Sequence, residues 1–184
     1  MAHGAVLSFP EEVLARARRV RLVLLDVDGV LTDGRFLLMA DGTDGRAFHT
    51  RDGHAIRMGQ RAGLQFAILS GRRSRAVTLR AEELDLVEVL QGVSDKGAAF
   101  AALLERLGLE DAEVCYLGDD VVDLPVLRRA GLAVAPADAA SEATAAAHWV
   151  TSRPGGQGAV REAVELLLKA QGLWEREIER YTRG

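Results

Sequence analysis

Short apolar runs recur along this chain, and most of them break off at a carboxylate, a hydroxyl or a glycine. RLVLL (Arg21–Leu25) ends at Asp26, LQFAIL (Leu64–Leu69) at Ser70-Gly71, and EVCYL (Glu113–Leu117) at Gly118-Asp119. LVEVL (Leu86–Leu90), LAVA (Leu132–Ala135) and a short His148–Val150 complete the series. Apolar runs of this length suit strands buried on both faces, as in parallel sheets. Helical patterns fill the intervals. Asp95–Leu107 places Phe100, Leu103, Leu104 and Leu107 on one face, with Ser94 as the expected cap and Gly108 as the expected stop. Gly158–Ala170 does the same with Val160, Val164, Leu167 and Leu168, and weaker patterns cover Gly53–Ala62, Arg73–Glu83 and Leu124–Ala130. Strand and helix in alternation predict an α/β chain: a three-layer, Rossmann-like parallel sheet with helices on both faces.

One stretch interrupts the alternation. GRFLLMADGTDGRAFHT (Gly34–Thr50) sets two apolar segments around Asp41-Gly42 and Asp44-Gly45, a hairpin signal inserted directly after the first strand. Apart from this insert (about 34–50) and a charged tail (about 172–184), the whole of 1–184 reads as a single domain. The tail carries Trp174, Ile178 and Tyr181 on one helical face. It can lie on its own domain or reach a neighbouring subunit.

Composition narrows the function. Hydrophobic residues make up 48% of the chain, too many for disorder. The net charge of −4 argues against nucleic acid as a partner, because phosphate backbones call for basic surfaces. No apolar run is long enough to span a membrane, and the N-terminus, with Glu11 and Glu12 early, does not read as a signal peptide. A lone Cys115 excludes an internal disulfide and a cysteine-based metal site. The expectation is a cytoplasmic protein.

In an open parallel sheet, ligands sit beyond the carboxyl ends of the strands. The polar residues here collect there. In extended chain, Asp26 and Asp28 point the same way and Val27 turns aside. Asp119, Asp120 and Asp123 follow the fourth strand. If those two strands are neighbours, several carboxylates converge, and that costs energy without a counter-charge. Mg2+, a hard cation that takes carboxylates, water and phosphate oxygens, answers the need. A carboxylate beside such a metal can attack phosphorus, and a second one two residues on can manage the leaving-group proton. Ser70 and Lys96 stand where they can hold phosphate. Each feature has a plainer alternative: a chance Asp-x-Asp, an N-cap at Asp123 before Leu124-Pro125, a turn at Ser70-Gly71, an exposed Lys96. Their coincidence at successive strand ends favours the chemical reading.

DVDGVLTDG (Asp26–Gly34), Ser70-Gly71-Arg72, Lys96 and GDDVVD (Gly118–Asp123) resemble, in order, the four motifs of the haloacid dehalogenase superfamily. An Asp at the first position implies a phosphatase of this superfamily. The resemblance makes Asp26 the nucleophile and Asp28 the general acid/base. It assigns phosphate to Ser70, Gly71 and Lys96, and Mg2+ to Asp26, the backbone carbonyl of Asp28 and Asp119. Thr32, Asp120 and Asp123 would support these groups. FHTRDGHAIR (Phe48–Arg57), the run from Gly118 to Ala139 and GGQGAVREAVELLLKAQG (Gly155–Gly172) further resemble the capless family of 3-deoxy-D-manno-octulosonate 8-phosphate phosphatases, enzymes of lipopolysaccharide sugar synthesis. That family is a homotetramer whose hairpins assemble together, with neighbouring subunits covering each site, and this favours an intersubunit role for the tail. Arg51, Arg72 and Arg46 are candidates for the sugar acid's carboxylate or hydroxyls, since guanidinium forks pair with carboxylates. His49 and His54 are expected to shape the pocket. Relatives more often carry Lys and Asn where Arg46 and His49 stand. A nine-carbon acid 9-phosphate (of the deoxynononate or N-acylneuraminate kind) is therefore the alternative substrate. A phospho-acceptor or scaffold domain is the alternative of another class.

Overall fold

The structure, a computed structural model, describes residues 9–182. The N-terminal stretch read as lacking a signal peptide falls largely on residues 1–8, outside the described part. Six parallel strands form the central sheet: β1 (Leu22–Leu25), β4 (Gln65–Ser70), β5 (Glu88–Gln91), β6 (Val114–Leu117), β7 (Leu132–Ala135) and β8 (Trp149–Val150). Their order is β5-β4-β1-β6-β7-β8. The first and fourth expected strands, β1 and β6, are indeed neighbours, with Leu25 opposite Leu117.

Alternation along each central strand divides the core in two. Val23 and Leu25 of β1, Phe66 and Ile68 of β4, and Cys115 and Leu117 of β6 point to one face. There they meet α1 (Glu11–Ala17), α2 (Thr50–Ala62), α3 (Arg75–Glu83) and α7 (Ala159–Ala170). Leu22 and Leu24, Ala67 and Leu69, and Val114 and Tyr116 point to the other. They meet α4 (Lys96–Leu107), α5 (Leu124–Leu127) and α6 (Ser141–Ala146). The result is the three-layer α/β arrangement that continuous apolar strands require.

Several local expectations shift. Asp95, not Ser94, caps α4: its carboxylate accepts from the N–H of Ala98 at 2.9 Å, while Ser94 lines a cavity. The last strand-like residues of LVEVL move along, so β5 runs Glu88–Gln91. The helix expected over Leu124–Ala130 ends at Leu127. Helix α2 begins three residues before Gly53, with His49 Nδ1 accepting from the N–H of Arg51. Two helices escaped the pattern, α1 and α6, because each buries too few residues to show an apolar stripe.

The insert after β1 is a short antiparallel hairpin, β2 (Leu37–Leu38) with β3 (Asp44–Gly45). Its turn is tied by Asp41, which accepts from both the N–H and the hydroxyl of Thr43. The tail forms α8 (Trp174–Thr182) and lies on its own chain. Trp174 sits beneath Arg161 and Lys169 of α7, and fully buried Glu177 pairs with Arg61 of α2. Through Thr182 the tail thus packs on its own domain, one of the two placements the sequence allowed; residues 183–184 lie outside the described part. No helix among the described residues is long and apolar enough to cross a membrane.

Candidate active site

At the carboxyl edge of β1, β4 and β6 opens a cavity of about 620 Å3. Asp26, Asp28, Ser70, Gly71, Arg72, Lys96, Asp119 and Asp120 all reach it. Sheet topology alone accounts for this convergence. Asp26 follows β1, Ser70 ends β4, and Asp119 lies two residues beyond β6.

Lys96 organises the floor. It is the first residue of α4, and its buried ammonium lies 2.9 Å from Asp26 Oδ1 and 2.5 Å from Asp123 Oδ1. Burial alone would lower the Lys96 pKa, but the two carboxylates outweigh it and the net shift is upward. Asp123 is fully occupied. Its Oδ1 also accepts from the Tyr116 hydroxyl at 2.6 Å, and its Oδ2 accepts from the N–H groups of Asp119 and Asp120 at 2.9 and 3.2 Å. Asp123 thus fastens the loop after β6 and braces Lys96.

Oxygens of Asp26, Asp119 and Asp123 lie within 4.8 Å of one another. One ammonium faces these three carboxylates, so the cluster keeps an excess of negative charge. Burial, which Lys96 only partly offsets and to which repulsion from Asp123 adds, pushes Asp26 up to about 6. Burial, then Asp26 and Asp123, push Asp119 to about 7. A donor set made of hard oxygens with unbalanced charge fits a divalent cation such as Mg2+. Because every Asp123 oxygen already has two partners, Asp26 and Asp119 are the carboxylates left to hold one.

The first loop is shaped for close approach. Gly29 has φ +87°, and a Cβ there would overlap the Asp119 carboxylate. Thr32, wholly buried, donates to the carbonyl of Val27 and accepts from the N–H of Gly34. Behind the loop, a Cβ on Gly155 would collide with the Gly29 carbonyl, and the N–H of Gly156 donates to Val30 at 2.9 Å. The GGQG stretch, noticed in the sequence only as part of a resemblance, is therefore a brace for the Asp26–Gly34 loop. Tyr116 was hidden in the sequence as an ordinary apolar strand residue. Asp52 was equally hidden. It is buried on α2 and caps the N-terminus of α7 through the N–H groups of Gly158 and Arg161.

The three arginines separate. Arg72 stays in the cavity, mostly exposed, 3.7 Å from Asp28 and stacked on Phe36. Arg51 instead lines a different cavity with Arg153 and Arg161. Arg46 is turned inward onto Asp28 and Asp44, not out toward a ligand. His49 caps α2 and His54 packs at a tilt against Tyr181, so both shape structure.

A parallel sheet carrying a lysine-paired carboxylate at the end of its first strand, a second carboxylate two residues on and an acidic cation site has the makings of a phosphoryl-transferring hydrolase. Residues 78–162 match the family described as haloacid dehalogenase-like hydrolase. The 3-deoxy-D-manno-octulosonate 8-phosphate phosphatase KdsC of Escherichia coli is 44% identical over 161 residues, 88% of this chain and 86% of that protein. A structure of the phosphatase of that name from Moraxella catarrhalis, in complex with magnesium, phosphate and KDO, is 35% identical with a TM-score of 0.92, covering 94% of this chain and 99% of that one. A probable YrbI-family phosphatase from Pseudomonas syringae superposes with a TM-score of 0.93 at 43% identity, covering 95% and 99%. The chain belongs to the haloacid dehalogenase-like hydrolases, in the branch of the 3-deoxy-D-manno-octulosonate 8-phosphate phosphatases.

Proposed function

We propose that this enzyme is an Mg2+-dependent phosphatase that hydrolyses 3-deoxy-D-manno-octulosonate 8-phosphate to the free sugar acid and phosphate. The observation that carries the chemistry is Asp26, fixed by Lys96 at 2.9 Å at the floor of the cavity. The likeness to KdsC along 88% of the chain supports the substrate.

The residues divide the work as follows. Lys96, Ser70 and the backbone beside Gly71 hold the phosphoryl oxygens and orient phosphorus over Asp26. An Asp26 oxygen attacks phosphorus as the bond to the sugar oxygen breaks, and that oxygen takes a proton from Asp28. Water then attacks the aspartyl-phosphate and gives a proton back to Asp28. The acyl–phosphate bond breaks, inorganic phosphate leaves, and the Asp26 carboxylate is restored. Bound by Asp26, Asp119 and the carbonyl of Asp28, Mg2+ would supply positive charge for the phosphoryl oxygens. Asp123, Asp120 and Thr32 keep this frame in place.

Phe36, Leu37, Leu38 and Met39 of the hairpin are 40, 68, 72 and 47% exposed. This contiguous apolar strip supports a homotetramer in which hairpins pack together and neighbouring subunits cover each site. We further read the whole chain as one hydrolase domain, working in the cytoplasm on a lipopolysaccharide sugar.

The test is phosphate release, with Mg2+ and with EDTA, from the eight-carbon acid 8-phosphate beside nine-carbon acid 9-phosphates. The expected result is a large kcat/KM preference for the eight-carbon acid that EDTA abolishes. A nine-carbon preference overturns the substrate, and no turnover with a long-lived phosphate on Asp26 overturns hydrolysis.

A further inference from the structure

Asp28 is held differently from the other carboxylates of the site. Asp26 and Asp123 are gripped by lysine, tyrosine or backbone N–H groups of the sheet and its loops. The side-chain partners of Asp28 among the described residues are guanidiniums. Arg46 Nε donates to Asp28 Oδ1 at 2.7 Å, and its Nη2 donates to Oδ2 at 3.2 Å. Arg72 lies looser, at 3.7 Å from Oδ2.

The Arg46 grip is built. Its side chain is only 1% exposed, so its charge has left water and depends on its partners. On the far side, its Nη1 is paired with Asp44 of β3. Asp44 in turn accepts from the hydroxyl of buried Ser74 at 3.1 Å, four residues beyond Ser70. A line of contacts, Ser74–Asp44–Arg46–Asp28, therefore runs from the end of the phosphate loop, through the hairpin, to Asp28. A fork that engages both carboxylate oxygens fixes the plane as well as the position of the group; a lysine fixes one point.

We propose that Arg46 is a positioning residue for hydrolysis: set by Asp44, its guanidinium holds the Asp28 carboxylate in the orientation from which it serves the leaving oxygen. Arg46 thus acts on the reaction through Asp28, and not as a contact for the sugar acid. Oδ1 takes the tight bond, and Oδ2 is held at longer range by Nη2 and by Arg72. The inference rests on the proposed role of Asp28 as proton donor.

Aryl phosphates separate this role from the alternatives, since they lack both sugar and carboxylate. p-Nitrophenolate leaves without a proton, while phenolate and the sugar alkoxide need one. Arg46→Ala is expected to lower kcat/KM about ten- to a hundredfold for phenyl phosphate and for the sugar-acid phosphate. For p-nitrophenyl phosphate the loss should stay below about threefold. Arg46→Lys should recover part of the loss. Asp44→Asn, which keeps the volume of the hairpin residue, should show the same pattern more weakly, and guards against misfolding of the alanine variant. Equal losses on both aryl phosphates overturn the proposal. So does a loss confined to the sugar acid with a raised KM, which marks Arg46 as a substrate contact. Wild-type enzyme that cleaves aryl phosphates but not the eight-carbon acid would sink the substrate assignment and leave this test standing. Wild-type enzyme inactive on all three would sink the reading of Asp28 and this inference with it.

Discussion

The carboxyl end of the sheet and the hairpin that rises beside it are built on opposite plans. At the sheet, Lys96 and Asp123 are closed off within the chain: Lys96 between Asp26 and Asp123, Asp123 against Tyr116 and two backbone N–H groups. The hairpin has only two residues in each strand and leaves Leu37 and Leu38 mostly in water. Isolated two-stranded ribbons are marginal. The sheet end is thus braced by contacts within one chain, whereas the hairpin's apolar strip stays exposed, the surface that the proposed tetramer would cover. The tail sharpens the contrast. It resembles the hairpin in being an appendage, yet it spends its apolar face on its own α2 and α7.

The contrast can be broken from the sheet side. Asp26→Asn should abolish phosphate release, by at least about a thousandfold. The fold and assembly should survive, because the neutral amide relieves repulsion with Asp119 and Asp123 while Lys96 keeps Asp123. Circular dichroism and sedimentation check the second part, and ordinary turnover in this variant would discard the nucleophile.

A cut from the hairpin side should do the reverse. Leu37→Glu together with Leu38→Glu should dissociate the assembly in sedimentation experiments. Folding stability of the subunit should change by only about 0.5 kcal/mol per site, since both residues are already exposed. A tetramer that survives both charges would show that the strip is not its interface.

The last prediction concerns the charge excess. Asp26 at about 6 and Asp119 at about 7 both lie above the ordinary carboxylate value. The folded state then binds more protons than the unfolded chain from about pH 4 to 7, so the metal-free protein loses stability as pH rises through that window. Mg2+ competes with those protons. Its affinity should climb between about pH 5.5 and 7.5, with protons released on binding, as calorimetry in two buffers reads directly. At a hundred times its Kd, Mg2+ should add about 2.7 kcal/mol to stability, and Asp119→Asn should remove most of that gain. A pH-independent affinity would place the cation elsewhere.

Much of this was written in local pattern. Continuous apolar runs can be satisfied only by strands covered on both faces, and their abrupt polar ends had to gather at one edge of a parallel sheet. Asp26, Asp28, Ser70, Lys96 and Asp119 were legible for that reason, as was Asp123 beneath them. What sequence spacing could not carry were contacts between segments far apart. Tyr116 reads as core until its hydroxyl is seen on Asp123. Gly155 and Gly156 are ordinary turn residues until the Asp26–Gly34 loop is packed against them. Arg46 looks like a free guanidinium on a polar loop, and only the hairpin's fold turns it onto Asp28. The tail's periodicity was visible, but which surface would receive it depended on where α2 and α7 leave an apolar seat. Sequence alone determined the elements and the charges at their ends, because those follow from neighbours in the chain. The tertiary structure decided how each charge is paired, because pairing depends on groups that only folding brings within hydrogen-bonding distance.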